Sequence, residues 1–373
     1  MKICIIVTHY LPHIGGLELA TNHLANELTR LGHEVHIITP QASVATDKAI
    51  DTAIVHRFPI PGYPEGNTLL VLLKGFLFFK KAIDCINKIR PDVIQAQNVT
   101  NSFPAYLVGK KINCPYIIAM QGDLELMGIF LTPLLKNYWS YLPHLKNAER
   151  IIVLNKNTAL KAEPLLHKSI IVMANGVDTN VFYPIKKQNI EVETHKIICV
   201  SRLDDKKGLE YAIQSMVDIL KLYPDATLKI IGDGYYRQTL EQLVRTLNLT
   251  NSVHFMGLIP NNEIPNELRA SDIFLLPSLH EGFALTLLEA MACGLPIVST
   301  PVGSVPEIMN VWENGIMVPL KDPDQIAKAI ITIFNDTALK LKYGERSVNA
   351  INESLTWKSI AKKYETLYNS VIT

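Results

Sequence analysis

Short, almost unbroken apolar runs alternate along this chain with longer stretches in which apolar residues recur every three or four positions. In the first half the runs fall at residues 3–8, 34–39, 93–96, 116–120, 150–154 and 169–173. Runs of this kind predict strands buried on both faces, as in a parallel sheet covered by helices. The spacing between them predicts helices over residues 17–31, 69–89 and 133–146. The alternation stops in residues 183–195, YPIKKQNIEVETH, which carry a proline and mixed charge but no period. It starts afresh with runs at 196–201, 227–231, 253–255, 273–276 and 296–300. The pattern is that of an α/β protein with two Rossmann-like domains, residues 1–182 and 196–356, joined by a linker at 183–195. Residues 357–373 predict a terminal helix, because Trp357, Ile360, Ala361, Tyr364, Leu367 and Tyr368 share one face that has to be buried. Two doubly wound domains facing each other leave a cleft, and ligands of such sheets sit beyond the carboxyl ends of the strands.

A length of 373 residues suits two domains better than one core, and 48% hydrophobic with 19% charged residues excludes a disordered or fibrous chain. The 36 Lys and Arg against 35 Asp and Glu fall short of the basic excess that phosphate neutralisation needs, so no nucleic-acid partner is expected. The balance is uneven along the chain. Residues 1–190 hold 19 basic against 13 acidic side chains and the remainder 17 against 22, so the halves are expected to meet different partners. Five cysteines without a CxxC pair fit a reduced, cytoplasmic setting. The opening MKICIIVTHYLPHIGG reads as a first strand rather than a signal peptide. No uncharged run approaches the roughly 18 residues of a membrane span; the nearest, 69–79, is broken by Lys74.

Three places combine residue types suited to a phosphate-bearing ligand. In PSLHEGFALTLLEAMACGLPIVSTPVGSVPE, Glu281 follows a strand and Glu289 lies eight positions on, inside the next helix. A carboxylate at a strand end, a glycine, and fresh helix N–H groups suit hydroxyls and phosphate together. A carboxylate within the helix can take charge-assisted bonds from a diol such as ribose, each worth about 1.5 to 3 kcal/mol. A helix cap at Glu281 and a solvated helix residue at Glu289 are the plainer account of two lone glutamates. In VSRLDDKKG, Arg202 and Lys207 leave one strand end together, where two cations would neutralise a leaving diphosphate. In PHIGGLE, Gly15 and Gly16 offer backbone donors and a helix N-terminus to an anion. The lone GDG at Gly232 to Gly234 is weak by itself, and no GxGxxG supports a nicotinamide enzyme. Asp204 and Asp205 are adjacent rather than a DxD, and the DxD at Asp322 and Asp324 precedes a helix pattern as a cap would, so no metal is expected.

The segment from Glu281 resembles the E-x7-E region of the retaining family 4 glycosyltransferases, whose usual wording is close to EGFGLTLLEAMACGLPVV; Ala284 stands where that wording has glycine. VSRLDDKKG is similar to the family's RL followed by KG. The glycine loop, NGVD at Asn175 to Asp178, GDG, and FMG at Phe255 to Gly257 are family-like too. The resemblance implies the GT-B arrangement of two facing Rossmann-like domains, with the terminal helix crossing back to the first. It implies a retaining hexosyltransferase-type enzyme that uses a nucleotide diphosphate-sugar, a UDP-sugar among them, to build polysaccharide or glycolipid. In that family the first glutamate faces the transferred sugar and the second holds the ribose. Both cations meet the diphosphate, and backbone N–H groups, here around Phe283, Ala284, Leu285 and Thr286, meet sugar and phosphate. The glycine loop closes over the phosphates, and the region of Gly232 helps shape the nucleotide pocket. No cofactor or metal is implied beyond the donor itself.

One departure stands out. Relatives often carry HG at the end of a first-domain strand, and here residues 116–120 run into Gln121-Gly122-Asp123. Glutamine donates and accepts hydrogen bonds but does not titrate, so the proton handling assigned to that histidine does not carry over. His9, His13 and His280 remain polar candidates near the cleft. Residues 69–79, LLVLLKGFLFF, with Lys80 and Lys81 after them, fit a helix lying in a membrane interface and fit a buried core helix equally well. The first reading puts the protein at the inner face of a membrane with a lipid-linked acceptor. Two other functions are kept beside the transferase: a non-catalytic nucleotide-sugar binding protein, motivated by Gln121, and a phosphorylase or epimerase of the same architecture.

Overall fold

Isoleucine, valine and leucine fill the strands of this chain, and the computed structural model orders them into two parallel sheets. It describes residues 1–12, 15–40, 52–60, 68–121, 143–185 and 194–372. The chain divides into two compact units, Met1–Asn175 with Trp357–Thr373, and Gly176–Thr356. The two units part ahead of the expected linker at 183–195. Its residues 186–193 lie outside the described ones, and the boundary comes earlier, inside NGVD. The reason is local: the Val177 N–H already bonds the Leu355 carbonyl at 2.9 Å, and Val177 bridges to Thr356, both in the second unit.

The first unit runs β1 (Lys2–Ile6), α1 (Gly16–Arg30), β2 (Glu34–Pro40), β3 (Ile54–Phe58), α2 (Thr68–Ile89), β4 (Val93–Gln97), α3 (Ser102–Ile112), β5 (Tyr116–Met120), α4 (Pro143–Lys146), β6 (Arg150–Val153), α5 (Lys156–Leu166) and β7 (Ile171–Val172). The sheet order is β3-β2-β1-β4-β5-β6-β7, every pair parallel. Of the helix expected over 133–146, only α4 lies in the described residues. β3 was not legible as a strand: IVHRF is interrupted by the adjacent polar pair His56 and Arg57 and sits at the sheet edge, half-exposed. Alternate strand residues feed two cores. One holds Cys4, Ile6, Ile94 and Ile118 against Phe78, Ala82 and Ile86 of α2 and Ala105 and Val108 of α3.

The second unit runs β8 (Lys196–Val200), α6 (Leu209–Leu222), β9 (Thr227–Ile231), α7 (Arg237–Thr246), β10 (Val253–Gly257), α8 (Ile264–Arg269), β11 (Ile273–Leu276), α9 (Leu285–Ala292), β12 (Ile297–Ser299), α10 (Val305–Trp312), β13 (Gly315–Met317), α11 (Pro323–Asn335) and α12 (Thr337–Ala350). Its parallel order is β10-β9-β8-β11-β12-β13. The order reverses between β8 and β11, and the carboxyl ends of those two strands are where a doubly wound sheet takes its ligand.

The last helix, α13 (Trp357–Ile372), belongs to the first unit. Its apolar face, the one read from the sequence, packs on Ala20, Leu24, Ala25 and Leu28 of α1 in that unit's other core. The Tyr368 hydroxyl donates to Gln95 Oε1 at 2.6 Å, and Trp357 stacks on His23 at 5.6 Å. All five cysteines are free thiols; burial holds Cys4, Cys114, Cys199 and Cys293 well above the ordinary thiol range. Among the described residues no helix is long and apolar enough to cross a membrane.

Candidate functional site

The reversal point of the second sheet gathers the charged residues singled out in the sequence. β8 ends in Ser201 and Arg202, and a short 3₁₀ turn, Asp205–Lys207, carries Lys207 back over the sheet. Asp204 shapes that turn by accepting the Lys206 N–H at 3.1 Å. Gly208 then takes φ +58°, and a Cβ there would collide with the Pro277 carbonyl. Only glycine lets the β8 loop lie this close to the β11 loop, and the Leu279 N–H seals the approach by donating to the Lys206 carbonyl at 2.7 Å.

This contact brings Lys207 Nζ to 2.8 Å from Glu281 Oε1, although the residues are 74 positions apart. The same oxygen accepts from Ser278 Oγ at 2.7 Å. The Lys207 and Glu281 side chains are 14% and 10% exposed, so each offsets the desolvation of the other. Ser278 is fully buried and its carbonyl accepts from the Thr300 hydroxyl, which ties the Glu281 loop to the end of β12. Gly303, at φ +54°, lies beneath: a Cβ would sit 2.6 Å from the Glu281 carbonyl and 3.0 Å from that of Gly282. Arg202 behaves differently. Its side chain is 84% exposed with Asp204 Oδ2 at 3.6 Å, so it is a solvent-exposed cation rather than one held by burial.

Behind Glu281, residues Phe283 and Ala284 lead into α9. Ala284 is the N-cap residue and supplies no side-chain acceptor, so the first-turn N–H groups, those of Leu285 and Thr286 among them, have no side-chain cap. That end of the helix presents N–H donors and the positive pole of its dipole. One turn on, Glu289 is partly buried with no partner among the described residues, and desolvation pushes its carboxyl up to about 7. Gly232 and Gly234 complete the floor, since a Cβ on either would collide with the carbonyl of Ser201 or Leu203. Two buried hydroxyls, Ser201 Oγ and Ser304 Oγ, also have no hydrogen-bond partner among the described residues. Sequence reasoning passed over Ser278, Ser201 and Ser304. A lone serine carries no pattern of its own, although Ser278 lies only three residues before Glu281 and Ser304 directly before α10.

In the first unit, Gly15 is the N-cap of α1 and Gly16 its first residue, again with no side-chain cap. Glu18, buried in the first turn, brings its carboxylate against the position a Gly15 Cβ would take. Gln121 stands beyond β5, where the Asn175 side-chain NH2 donates to its Oε1 at 3.2 Å. Its backbone N–H donates to Asn98 Oδ1 at 3.2 Å. Asn98 itself holds φ +66° and ψ 164°, a conformation rare outside glycine. Asn98 was invisible in the sequence, since its strain is set by the β4-to-α3 turn. Of the histidines, His9 and His280 are partly buried at strand ends, and His13 lies outside the described residues, as do Gly122 and Asp123.

No group of His, Cys, Asp or Glu among the described residues has the arrangement of a metal site. The nearest acidic residues have other tasks: Asp205 Oδ1 accepts from Tyr235 at 2.5 Å, and Asp322 caps α11 through the Gln325 N–H at 3.0 Å.

In comparison with known proteins, the families that match the chain meet between residues 181 and 184, close to the start of the expected linker and past the division of the two compact units. The family described as Glycosyl transferases group 1 matches residues 184–349, and Glycosyltransferase Family 4 matches residues 14–181. N-acetyl-alpha-D-glucosaminyl L-malate synthase of Bacillus anthracis is 26% identical over 100% of this chain and 98% of its own. Alpha-monoglucosyldiacylglycerol synthase of Acholeplasma laidlawii is 26% identical over the same shares. Among solved structures, Anabaena HepE in complex with UDP superposes with a TM-score of 0.80 at 20% identity, over 99% of this chain and 100% of that one, which establishes a shared fold.

Proposed function

The chain belongs to the family 4 glycosyltransferases, with the two Rossmann-like units of the GT-B type, and on that footing we propose a retaining hexosyl transfer from a nucleoside diphosphate-sugar to a saccharide or lipid-linked acceptor. The observation that carries the reading is the Lys207–Glu281 pair at the β8/β11 reversal, beside the uncapped start of α9. A dry cation, an uncapped helix N-terminus and an exposed arginine together suit a diphosphate. Glu289, partly buried and unpartnered among the described residues, suits a ribose diol, whose two hydroxyls would hold its carboxylate form.

In this scheme the second unit holds the donor. Glu289 takes the ribose, Arg202 and Lys207 the diphosphate, and Glu281 with the Phe283 to Thr286 backbone the sugar and phosphate. Gly232 lets the nucleotide lie against β8 and β9. As the bond from the anomeric carbon to the diphosphate oxygen breaks, negative charge grows on that oxygen, and the cations stabilise it. The acceptor hydroxyl forms its bond to the anomeric carbon on the same face and passes its proton to the departing phosphate oxygen. The first unit presents the acceptor. Gly15 and Gly16, at the uncapped start of α1, offer N–H donors suited to a phosphate, and the Gln121 amide offers hydrogen bonds to a sugar without titrating. Side chains carry all the neutralising charge, and no metal takes part. UDP-sugars are the first donors to try, given the UDP complex of the HepE neighbour, and the diacylglycerol named for the Acholeplasma relative favours a lipid-borne acceptor at the inner face of a membrane.

The test is incubation with UDP-, GDP- and ADP-sugars and a panel of sugar and glycolipid acceptors, with the anomeric configuration of the product read by NMR. Transfer with an α-donor giving an α-product is expected. A β-product would overturn retention, and binding of every donor without turnover would overturn the transferase reading.

A further inference from the structure

The first sheet has its own reversal point, between β1 and β4, and the residue that ends β4 there has a backbone its neighbours must enforce. Asn98 holds φ +66° and ψ 164°, a region that glycine alone occupies freely. Asn113, which closes α3, makes the contrast: φ 54° and ψ 47° are ordinary left-handed values that asparagine tolerates. Polar contacts close the turn after Asn98. Asn101, 1% exposed, donates from Nδ2 to the Gln97 carbonyl at 2.6 Å and accepts from the Thr8 hydroxyl at 3.2 Å, which ties the turn to the residues just past β1. The Ser102 hydroxyl donates to the Val99 carbonyl at 2.6 Å.

The ladder between β4 and β5 shows what the strained residue does. Along a parallel pair, alternate N–H groups of one strand meet alternate carbonyls of the other: here the Ile94 N–H bonds the Pro115 carbonyl at 3.0 Å and the Asn98 N–H the Ala119 carbonyl at 2.9 Å. The next rung of that pattern would run back from the Gln121 N–H to the Asn98 carbonyl. Instead, the Gln121 N–H donates to Asn98 Oδ1 at 3.2 Å. With φ positive the Asn98 carbonyl leaves the ladder, and the side chain of the same residue supplies the missing acceptor. Glycine could hold this backbone without strain, but it would offer Gln121 nothing. The Gln121 side chain is fixed separately, its Oε1 accepting from the Asn175 side-chain NH2 at 3.2 Å. Two asparagines from two loops thus hold its backbone and its amide.

We propose that Asn98 is a positioning residue for Gln121: it keeps a strained backbone so that its carboxamide holds the end of β5, and with it the Gln121 amide, in place for the sugar. For the sugar contact the inference rests on the proposed function, but the clamp itself needs no ligand. Asn98 acts through Gln121 and not on the substrate. Strain at Asn98 and alignment of Gln121 therefore respond in opposite senses when the residue is changed. Asn98→Gly relieves the first and forfeits the second, so stability and turnover should separate. A residue that merely closed a turn would be improved by glycine on both counts.

The experiment compares the full chain with Asn98→Gly, Gln121→Ala and the double variant. Hydrogen exchange followed by NMR reads the clamp without any substrate: the Gln121 N–H should exchange about tenfold faster or more in Asn98→Gly than in the parent. The Tm of Asn98→Gly should equal or exceed the parent's. Its kcat should nevertheless fall by about tenfold, the scale of one lost hydrogen bond, with the donor KM within about twofold of the parent's. In the Gln121→Ala background, Asn98→Gly should cost nothing further, because the two act as a unit. Unchanged exchange at Gln121, transfer by Asn98→Gly as fast as the parent's, or additive losses in the double variant overturns the proposal. So does a lowered Tm with a raised donor KM, which would mark a general loosening. Normal transfer by Gln121→Ala would leave Asn98 nothing to align and overturn the proposal, while the transfer itself upholds the transferase reading. A parent that transfers from no donor overturns that reading instead, and the exchange at Gln121 then decides the clamp.

Discussion

Lys207 Nζ lies 2.8 Å from Glu281 Oε1, so two side chains proposed for different parts of the donor neutralise each other within the protein. The pair is nearly dry, and removal of one member leaves the other charge unmatched.

Lys207→Ala should lower kcat by about 10²- to 10³-fold, the scale for loss of one preorganised charge stabiliser. Steady-state kinetics with the best donor decides it, and unchanged transfer would remove Lys207 from the diphosphate. Glu281→Gln should abolish most transfer yet tighten binding of the free nucleoside diphosphate in calorimetry, because Lys207 is released to the phosphates. Weaker diphosphate binding in that variant would contradict the shared-cation account.

Glu289 couples pH to stability and to binding. Its carboxyl is raised to about 7 from an ordinary 4.5, so its contribution to stability is fully present below about 4.5 and is lost as pH rises through 7. Glu289→Gln should therefore gain about 2–4 kcal/mol over the parent at about pH 8 and nothing at about pH 4 in urea unfolding. The same variant should bind the donor nucleotide about 1.5–3 kcal/mol more weakly, and it should lose the parent's tightening of affinity between about pH 6 and pH 8. Equal affinity in the two proteins would take Glu289 off the ribose.

Gly303→Ala places a methyl 2.6 Å from the Glu281 carbonyl on a backbone at φ +54°. The expected loss is about 1–3 kcal/mol in thermal unfolding, with weakened donor binding as the Glu281 loop shifts. Normal stability with normal donor affinity would show that the loop has room to yield.

Asn175 donates to Gln121 Oε1, which leaves the Gln121 NH2 as the group available to a ligand. Asn175→Asp replaces the donor with an acceptor and should turn the Gln121 amide over. Transfer should fall further in this variant than in Asn175→Ala, by about tenfold. An Asp variant as active as the Ala variant would mean that the orientation of the Gln121 amide is immaterial.

Chelation tests the metal-free scheme. Asp204, Asp205 and Asp322 are occupied by turns, a tyrosine and a helix cap, so EDTA should leave turnover unchanged. A loss restored by a divalent cation would return a metal to the mechanism.

The helices and long strands were legible because each displays its own period: the face of α13 could be read residue by residue from Trp357 to Tyr368 before its partners were known. β3 and β13 were not, since IVHRF is polar at the sheet edge and GIM is only three residues. Arg202, Lys207, Glu281 and Glu289 were legible as residue types because their local wording resembles a family's. Their arrangement was not.

By itself, the sequence determined two α/β domains, a terminal helix with a buried face, and the segments that carry the family's motifs, because apolar period and local motif are properties of neighbouring residues. Only the tertiary structure decided that the division falls at Asn175–Gly176, that Lys207 spends its charge on Glu281, and that α2 turns Phe78 inward and Phe76 outward. Each of these depends on strand order or helix rotation. Parallel strands meet through crossovers tens of residues long, so which loop ends face each other is settled by packing and not by any short stretch of chain.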